Sequence, residues 1–491
     1  MQLPMKLKLS EVIDLNKLKG LKPEKVFYYF EEISAIPRGS GHTEKIRKYC
    51  EKFAADRGLS FVSDDSNNII IFKNGSAGRE NEEPVIIQGH TDMVWEKDES
   101  CNIDFETDGL KLFVDGDLIG AKGTTLGGDD GIAVAMCLAL LDSDDYSHPP
   151  LEILFTSDEE IGMLGAADLD VSPLKGKRMI NADSEAEGTL WVSCAGGARA
   201  DVVFEPEYSS VKKNIFSITV SGLHGGHSGA EIHKGYRNAN MVMGKLLKKI
   251  SDLIDFNIVD IYGGTMDNAI TRESVCIIST AQSAISDKID KIISDISDDC
   301  RNTDPEIRIS VSESSSDMPA MSNESTEKVI GLLNDLPGGV IAMSKEIDGL
   351  VETSLNLGIL SHNDGKVSFS FSVRSGKDSE RAKLLNRLKE ISDSYACEFI
   401  VESEYPAWEF KENSPLRDAM ASVYKETFGK EMTVTAIHAG LECGLFCGKI
   451  KDLDCVSFGP DMYDIHTPYE RLSISSTERM WNYLLRVLEK I

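Results

Sequence analysis

Four short apolar runs rich in β-branched residues stand in the first two hundred residues, and segments of helical spacing precede or separate them. The runs are NNIIIF at 67–72, PVIIQ at 84–88, LEILFT at 151–156 and RMINA at 178–182. Runs of this length suit strands that are covered on both faces. The segments with helical spacing cover 23–36, 42–57 and 131–141. This alternation predicts an α/β domain in which helices flank a mixed sheet.

The middle of the chain has a different order of elements. Between about residues 206 and 408 the order helix–strand–strand–helix–strand occurs twice. We therefore expect an inserted α+β domain made of two similar sandwiches. A helix at 415–428 and a final helix at 476–490 then return to the first domain. The predicted division is 1–205 with 409–491 as one domain and 206–408 as the insertion.

Length and charge limit the classes of function. With 491 residues the chain exceeds one ordinary core, so two or more domains are expected. It carries 81 acidic and 52 basic side chains, a net charge of −29, and shows no basic stripe with interleaved aromatic residues. Binding to nucleic acid is disfavoured, since such a surface repels phosphates.

The sequence also predicts a cytoplasmic protein. No apolar run reaches membrane-spanning length, and the first twenty residues lack the apolar core of a secretory signal. The ten cysteines are scattered, which indicates reduced thiols rather than a disulfide framework. Cys443 and Cys447 have a spacing that zinc tolerates, but no second pair stands nearby, so we interpret them as packing residues.

A first candidate metal ligand follows the strand at 84–88, in the motif QGHTDMV. His90 and Asp92 stand two residues apart, so in extended backbone they point to the same side. His90 can then bind a metal while the Asp92 carboxylate orients its other ring nitrogen. The motif alone is weak, because a histidine at a strand end is more often structural.

A glycine-rich turn with two acids, GTTLGGDDGIA at 123–133, leads into an apolar helix. No lysine follows the glycines, and paired acids would repel phosphates, so this is not a nucleotide-binding loop. Asp129 and Asp130 beside a helix start could either bind a metal or cap the helix. The turn alone leaves both open.

Three further groups of candidate ligands lie at strand or loop ends. Glu159 and Glu160 follow the strand at 151–156, Asp183 closes the strand at 178–182, and His466 lies in a loop near the C-terminus. Adjacent carboxylates beside an apolar strand are costly unless cations are present. Ligands of an α/β sheet collect outside the carboxyl ends of its strands. His, Asp and Glu without Cys suit two Zn²⁺, Co²⁺ or Mn²⁺ ions.

These motifs, in this order, resemble the dinuclear zinc exopeptidases, a family that includes carboxypeptidases, aminoacylases and cytosolic dipeptidases. The likeness extends almost end to end, through QGHTDMV, GTTLGGDDGIA, DEEIGMLGA, INADSEAEG, GLHGGHSGAEIHKGYRNAN and IHAGLECGLF. It implies a catalytic metal-binding domain with an inserted lid. It also implies roles, in which His90 and Asp183 hold one metal, Glu160 and His466 the other, and Asp129 bridges both. Asp92 would orient His90, and Glu159 would be the general base.

The resemblance makes further statements about single positions. It implies a cis peptide bond between Asp129 and Asp130. In the inserted domain His227 would donate to the scissile carbonyl, and Asn268 and Arg374 would contact the substrate carboxylate; a loop-capping Asn and a surface Arg are the structural alternatives. Many relatives have a lysine two residues after the bridging aspartate, whereas this chain has Gly131, as is usual in the dipeptidase branch.

The implied activity is hydrolysis of a short unblocked peptide, a dipeptide, by a metal-bridged water that Glu159 deprotonates. Two rival functions remain to be weighed. An N-acyl amino acid hydrolase would share the metal ligands, and an inactive binding protein would have lost ligands or base. Every expected position is filled, which disfavours the inactive protein. The sequence leaves a homodimer open.

Overall fold

A computed structural model describes residues 17–491, which form two compact units. Unit 1 comprises Met1–Ser193, Lys411–Thr435 and Leu441–Ile491, of which residues 1–16 lie outside the described part. Unit 2 comprises Cys194–Phe410 and Ala436–Gly440. The absence of a secretory signal was inferred mainly from residues outside the described part, so it stays a prediction.

Helices and strands alternate in the first part of the chain. In order they are α1 (Glu24–Ser34), α2 (Glu44–Asp56), β1 (Ser60–Ser63), β2 (Ile69–Lys73), β3 (Val85–His90), β4 (Leu112–Asp115), β5 (Leu118–Ala121), α3 (Gly128–Leu141), β6 (Leu151–Thr156), α4 (Leu164–Asp168), β7 (Arg178–Asn181) and β8 (Thr189–Cys194).

Strands dominate the middle part. They and their helices are β9 (Gly196–Phe204), β10 (Tyr208–Ser209), β11 (Asn214–Ser221), the 3₁₀ turn Ile232–Lys234, α5 (Ala239–Ser251), β12 (Phe256–Gly263), β13 (Ser274–Thr280), α6 (Ser286–Cys300), β14 (Arg308–Ser314), β15 (Ala320–Met321), α7 (Asn323–Asp335), β16 (Gly339–Met343), β17 (Val351–Asn363), β18 (Lys366–Ser375), α8 (Asp378–Ser394) and β19 (Glu398–Tyr405).

The last part of the chain returns to mixed elements. They are α9 (Pro415–Phe428), β20 (Thr433–Ile437), α10 (Glu442–Lys449), β21 (Asp454–Ser457), β22 (Met462–Tyr463), β23 (Arg471–Ser473) and α11 (Ile474–Lys490).

Local signals explain where these helices begin and end, as α9 illustrates. Pro415 stands in its first turn, where a missing N–H costs nothing, and the Ser414 side chain accepts a hydrogen bond from the Arg417 N–H. Gly429 ends the helix with φ 67°, a left-handed conformation that glycine adopts without strain. Its predicted bounds, 415–428, are confirmed.

An eight-stranded mixed sheet organises unit 1. Its order is β1-β2-β6-β3-β7-β21-β8-β20, and the four central strands β6, β3, β7 and β21 run parallel. Their residues are almost all buried, as the apolar runs predicted. Because the four strands are parallel, the segments that follow them leave the sheet at one edge. This edge carries the candidate metal ligands.

One antiparallel sheet organises unit 2. Its order is β14-β11-β13-β12-β17-β18-β9-β19, with β16 on the side of β17. The predicted order helix–strand–strand–helix–strand is present from α5 to β14, whereas the second half has an additional strand, β16, between α7 and β17. The two halves join where β12 pairs with β17 at Gly263 and Leu360. Helices α5 to α8 cover the sheet, and residues from both halves form a single apolar cluster. The predicted pair of sandwiches is therefore joined into one continuous layer.

The predicted domain boundaries require correction. β9, which we assigned to the first domain with residues up to 205, pairs along its length with β18 and β19 and belongs to unit 2. The segment 436–440, assigned to the first domain, also belongs to unit 2, where the Ala195 N–H bonds to the carbonyl groups of Ile437 and Ala439. Long-range pairing decides both cases, and no local pattern reports it.

All ten cysteines lie within the described residues, and no disulfide joins any two of them there. Among residues 17–491 no helix is both long enough and apolar enough to cross a membrane.

The shared core of unit 2 leads to a stability prediction. Phe369 lies in β18 with no exposed surface, so Phe369→Ala should lower the free energy of unfolding by about 3–5 kcal/mol. Denaturant unfolding monitored by circular dichroism measures the loss. The neighbouring half-buried Ser368→Ala is the control and should change the midpoint little. Equal midpoints for the two variants would contradict a core at this position.

Candidate metal centre

The edge of the unit 1 sheet collects acidic and imidazole side chains from separate elements. His90 ends β3, Glu159 and Glu160 follow β6, and Asp183 follows β7. Two further groups come from outside these strands: Asp129 from the first turn of α3 and His466 from the loop between β22 and β23. His466 has φ 61°, a conformation that is rare for residues other than glycine. Residues in such conformations are concentrated at functional sites.

Five of these residues form two groups that share Asp129. In each group the candidate ligand atoms all lie within 4.8 Å of one another. The first group is His90, Asp129 and Asp183, and the second is Asp129, Glu160 and His466. The two Asp129 oxygens divide between them, since Oδ1 lies 3.1 Å from His90 Nε2 and Oδ2 lies 3.1 Å from His466 Nε2. Asp129 therefore has the placement of a bridge.

The spacing of these atoms is close to that of metal coordination, and three of the four distances are shorter. Ligand atoms about 2.0–2.2 Å from a tetrahedral ion lie roughly 3.3–3.6 Å from one another. His90 Nε2 lies 3.6 Å from Asp183 Oδ1, and His466 Nε2 lies 2.9 Å from Glu160 Oε1. That Glu160 oxygen is buried, and its near polar partner is the His466 ring nitrogen. Nitrogen and carboxylate oxygen donors without thiolates suit Zn²⁺, Co²⁺ or Mn²⁺.

Burial and charge give these groups unusual proton affinities. Burial by itself lowers the pKa of His90, but Asp183, Asp129 and Asp92 outweigh it and raise that pKa well above its ordinary value. Burial likewise opposes protonation of His466, yet hydrogen bonds to Asp129 and Glu160 raise its pKa to about 11. The environment is thus strongly anionic and favours cations at these positions.

Glu159 and Glu160 are neighbours with different surroundings. Asp158 before them has φ 55°, so the chain turns sharply after β6. Glu160 belongs to the second group, whereas Glu159 belongs to neither of the groups formed by described residues. Burial raises the pKa of Glu159 well above its ordinary value, and the nearby charges of Asp183, Glu442 and Glu160 add to this. A carboxylate that prefers to hold a proton here suits a general base.

Asp92 connects His90 with the turn that carries both glutamates. His90 Nδ1 lies 3.2 Å from the Asp92 carbonyl oxygen and 3.3 Å from its Oδ1, which places the proton on Nδ1 and leaves Nε2 free to bind a metal. The Asp92 carboxylate also accepts hydrogen bonds from the Glu159 N–H at 3.0 Å and the Glu160 N–H at 3.3 Å. The expected orienting contact is present, and the same carboxylate holds the backbone of Glu159 and Glu160 in place.

The turn at Asp129 bears on two expectations from the sequence, the cis peptide bond and the glycine at position 131. The peptide bond between Asp129 and Asp130 is cis, as expected. The departure at Gly131 also has a physical reason, since a Cβ added there would lie 2.4 Å from Nη2 of Arg38. Asp130 is fully buried and accepts a hydrogen bond from the His90 N–H, so it supports the site rather than capping α3.

Sequence reasoning missed two residues at this centre. Arg38 and Glu470 contact the backbone of the Asp129 turn. Arg38 is the single charged residue of the segment IPRGSG, which was the available signal. Nothing local indicated which part of the chain each would contact.

Glu442, at the start of α10, belongs to a buried polar network. Its Oε2 accepts hydrogen bonds from Gln88 Nε2 at 2.6 Å and Thr156 Oγ1 at 2.7 Å. Asn181 Nδ2 donates to Gln88 Oε1 at 2.6 Å, so three adjacent strands are linked through this network. Burial raises the pKa of Glu442 to about 8.

The substrate contacts predicted in the inserted domain lie together in unit 2. His227 Nδ1 accepts hydrogen bonds from the N–H groups of Gly229 and Ala230, so the neutral ring carries its proton on Nε2. Asn268 is tied to this loop by its carbonyl oxygen, which accepts the Ser228 N–H at 2.8 Å. Burial, together with the nearby Arg374 charge, lowers the pKa of His227. A neutral imidazole donor therefore lies beside a cation.

Arg374 is a buried residue rather than the surface residue of the alternative interpretation. It is 8% exposed, and its Nη1 donates to the Tyr405 hydroxyl at 3.2 Å while Nε has no hydrogen-bond partner among the described residues. His438 lies in the same unit, with Nε2 2.7 Å from Ser354 Oγ. Burial and the charge of Arg374 lower the pKa of His438 to about 3, so it is neutral at physiological pH.

The Glu442 network leads to a pH prediction for chelator-treated protein. A carboxyl with pKa near 4.5 when unfolded and about 8 when folded retains its proton longer in the folded state. Its contribution to the free energy of unfolding therefore falls as pH rises from about 4.5 to about 8 and is fully lost above that. Glu442→Gln, which keeps the acceptor oxygen, should show a shallower decline of Tm across this window. The exposed Glu489→Gln should follow the parent chain, and a Glu442→Gln curve parallel to the parent would contradict the prediction.

Comparison with known proteins places this centre in a family. The model of peptidase family M20/M25/M40 matches residues 86–490. The cytosol non-specific dipeptidase of Escherichia coli (strain K12) is 34% identical over 486 residues, covering 97% of this chain and 99% of that protein. The crystal structure of aminoacylhistidine dipeptidase from Vibrio alginolyticus has 33% identity and a TM-score of 0.89, covering 96% and 98%.

A more distant structure shares the fold alone. The aminopeptidase PepT of Bacillus cereus has 14% identity and a TM-score of 0.56, covering 96% of this chain and 99% of that one. The chain belongs to peptidase family M20/M25/M40.

Proposed function

We propose that this chain is a two-metal dipeptidase in which Glu159 acts as the general base. The observation that carries the proposal is the pair of ligand groups sharing Asp129, with Glu159 beside them and outside both. End-to-end similarity to the Escherichia coli dipeptidase supports the substrate class. The name of that relative also supports a cytosolic location.

His90 and Asp183 would hold one ion, Glu160 and His466 would hold the other, and Asp129 would be shared by both. Zn²⁺ suits this donor set best, and Co²⁺ or Mn²⁺ could replace it. When bound, the ions would supply Lewis acidity toward the peptide carbonyl and toward water. Asp92 orients the His90 ring through Nδ1, which leaves Nε2 available as the donor.

Glu159 moves the proton in the reaction. Its carboxylate takes a proton from the attacking water and returns it to the leaving amine, a role suited to its raised pKa. His227 donates from Nε2 to the oxyanion, an interaction whose loss costs roughly 2.7–4 kcal/mol in comparable enzymes. Arg374 and Asn268 bind the substrate carboxylate, Arg374 through its planar fork of donors.

The substrate is an unblocked dipeptide. The names of the two full-length relatives support either broad dipeptide specificity or a preference for a C-terminal histidine. Hydrolysis of N-acyl amino acids is the second candidate, because the same metal ligands would serve it. Only the groups that contact the substrate termini distinguish the two.

One prediction compares the hydrolysis of dipeptides with that of N-acyl amino acids. The zinc-loaded enzyme should hydrolyse a panel of dipeptides, including Xaa-His, with kcat/KM at least about 10²-fold above that for N-acetyl amino acids, as expected when a site built for a polar group meets an analogue that lacks it. Amine release measured by a ninhydrin-type assay gives both values. Preferential cleavage of N-acetyl amino acids would select the second candidate, and no hydrolysis of either class would reject both.

A second prediction separates the adjacent glutamates. Glu159→Ala should retain both ions and its fold while kcat falls by about 10²–10⁴-fold, since only proton transfer is lost. Glu160→Ala should lose metal and activity together, because a ligand is removed. Glu159→Asp should recover little, since its carboxylate is withdrawn by one methylene.

Elemental analysis of metal content, with kcat and KM on one dipeptide, distinguishes these outcomes. The exposed Asp170→Ala provides an acidic control that belongs to neither ligand group and should keep parent metal content and kcat. Loss of an ion from Glu159→Ala with full occupancy in Glu160→Ala would reverse the two assignments.

A further inference from the structure

Arg38 is a fully buried cation that joins two loops of the metal centre. It is 1% exposed, and its Nη1 donates to the carbonyl oxygens of Thr91 at 3.0 Å and Asp92 at 3.1 Å. Its Nη2 donates to the carbonyl oxygen of Gly127. One planar guanidinium therefore fixes the loop after His90 relative to the turn before Asp129.

The Glu470 carboxylate accepts hydrogen bonds from backbone N–H groups of the same turn. Its Oε2 accepts hydrogen bonds from Leu126 at 2.7 Å and Gly127 at 3.0 Å. Its Oε1 accepts from Gly128 at 2.7 Å and from Asp129 itself at 3.3 Å. Glu470 is 2% exposed and follows His466 by four residues, so it ties the His466 loop to the turn.

The turn is shaped to receive these two side chains. Gly127 has φ 63°, and an added Cβ would lie 2.5 Å from Arg38 Nη2. The added Cβ of Gly131 would lie 2.4 Å from the same atom. The two glycines thus leave the space that the guanidinium fills. A side chain added at either position would displace the guanidinium.

Asp129 depends on its backbone more than the other candidate ligands do. Its short side chain must direct Oδ1 toward His90 and Oδ2 toward His466 at the same distance, 3.1 Å. Two rotatable side-chain bonds cannot correct a displaced backbone in both directions at once. The backbone position of the turn therefore decides whether one carboxylate can serve both groups.

We propose that Arg38 and Glu470 are positioning residues that hold Asp129 as the shared ligand of the two metal ions. Arg38 sets the turn relative to the His90 loop, and Glu470 sets it relative to the His466 loop. Neither contacts the reacting atoms. This inference rests on the proposed two-metal function and adds the residues that make one aspartate bridge two sites.

If Arg38 and Glu470 only stabilised the fold, substituting them should have the same effects as substituting other buried charged residues that bind the backbone. The chain offers two matched controls in unit 1. Lys73 is a buried cation that donates to the carbonyl oxygens of Leu140, Leu141 and Ser143. Glu152 is a buried carboxylate that accepts the N–H groups of Lys175 and Gly176. Both belong to contacts outside the two ligand groups.

The experiment titrates chelator-treated protein with Co²⁺ and Zn²⁺. The variants are Arg38→Lys and Glu470→Gln, with Lys73→Met and Glu152→Gln as controls. The visible spectrum of bound Co²⁺ reports ligand geometry, calorimetry with Zn²⁺ reports the affinity and number of sites, and Tm of the metal-free protein reports the fold. Values of kcat and KM for a dipeptide at saturating Zn²⁺ complete the set.

Arg38→Lys and Glu470→Gln should weaken metal affinity by about 10–100-fold and alter the Co²⁺ spectrum, as loss of a contact that orients a ligand does elsewhere. Their kcat should fall more than their KM changes. The controls should lower Tm while affinity, spectrum and kcat stay at parent values. Parent-like affinity and spectrum in both Arg38→Lys and Glu470→Gln, or equal losses in the controls, would overturn the inference.

Gly131→Ala provides a variant that keeps both charges if the first two do not fold. It pushes on Arg38 Nη2 without removing it and should reproduce the loss of affinity; parent-like affinity in this variant would count against the inference. A parent chain that binds fewer than two ions would instead reject the proposed function. The two failures are therefore distinguishable.

Discussion

The constraint on which this centre depends is the repulsion among carboxyl groups collected at one sheet edge. Asp92, Asp129, Asp183, Glu159 and Glu160 converge there with only two imidazoles among them. Ionised carboxylates removed from water are unfavourable unless protons, hydrogen bonds or cations compensate them. The protein meets the demand in different ways, as hydrogen bonds stabilise the Asp92 charge while Glu159 favours its protonated form. The two divalent cations that we propose would complete this compensation.

Parallel strands make such a concentration of charge compatible with a stable core. β6, β3 and β7 are buried along their length, and the acids follow only where these strands end. The apolar strands hold the acids together at the carboxyl ends of the sheet. Beside them, hydrogen bonds connect the buried polar side chains of Gln88, Thr156 and Glu442. The same strands that stabilise the unit therefore hold the donor atoms at fixed separations.

Sequence patterns predicted where candidate ligands would collect, because His90, Glu160 and Asp183 each stand at or just after an apolar strand. Their division into two groups that share Asp129 came from the family resemblance. The domain boundary at 205 failed for the opposite reason. β9 resembles any other strand, and only its pairing with β18 shows which sheet it joins. Arg38 was overlooked likewise, since its partners Asp92 and Gly127 lie more than fifty residues away.

Gly131 shows how a local pattern acquires meaning only from a distant partner. In the sequence it is a departure from the lysine of many relatives, with no stated reason. In the structure its missing side chain leaves space for the Arg38 guanidinium, which enters from the segment after α1. A positive charge next to Asp129 and Asp130 is thereby supplied from elsewhere in the chain, and it binds three carbonyl groups at once. A flexible lysine at 131 could supply a positive charge but not this planar set of contacts. Gly131 and Arg38 therefore act together: the glycine leaves the space, and the arginine supplies the charge and the hydrogen bonds.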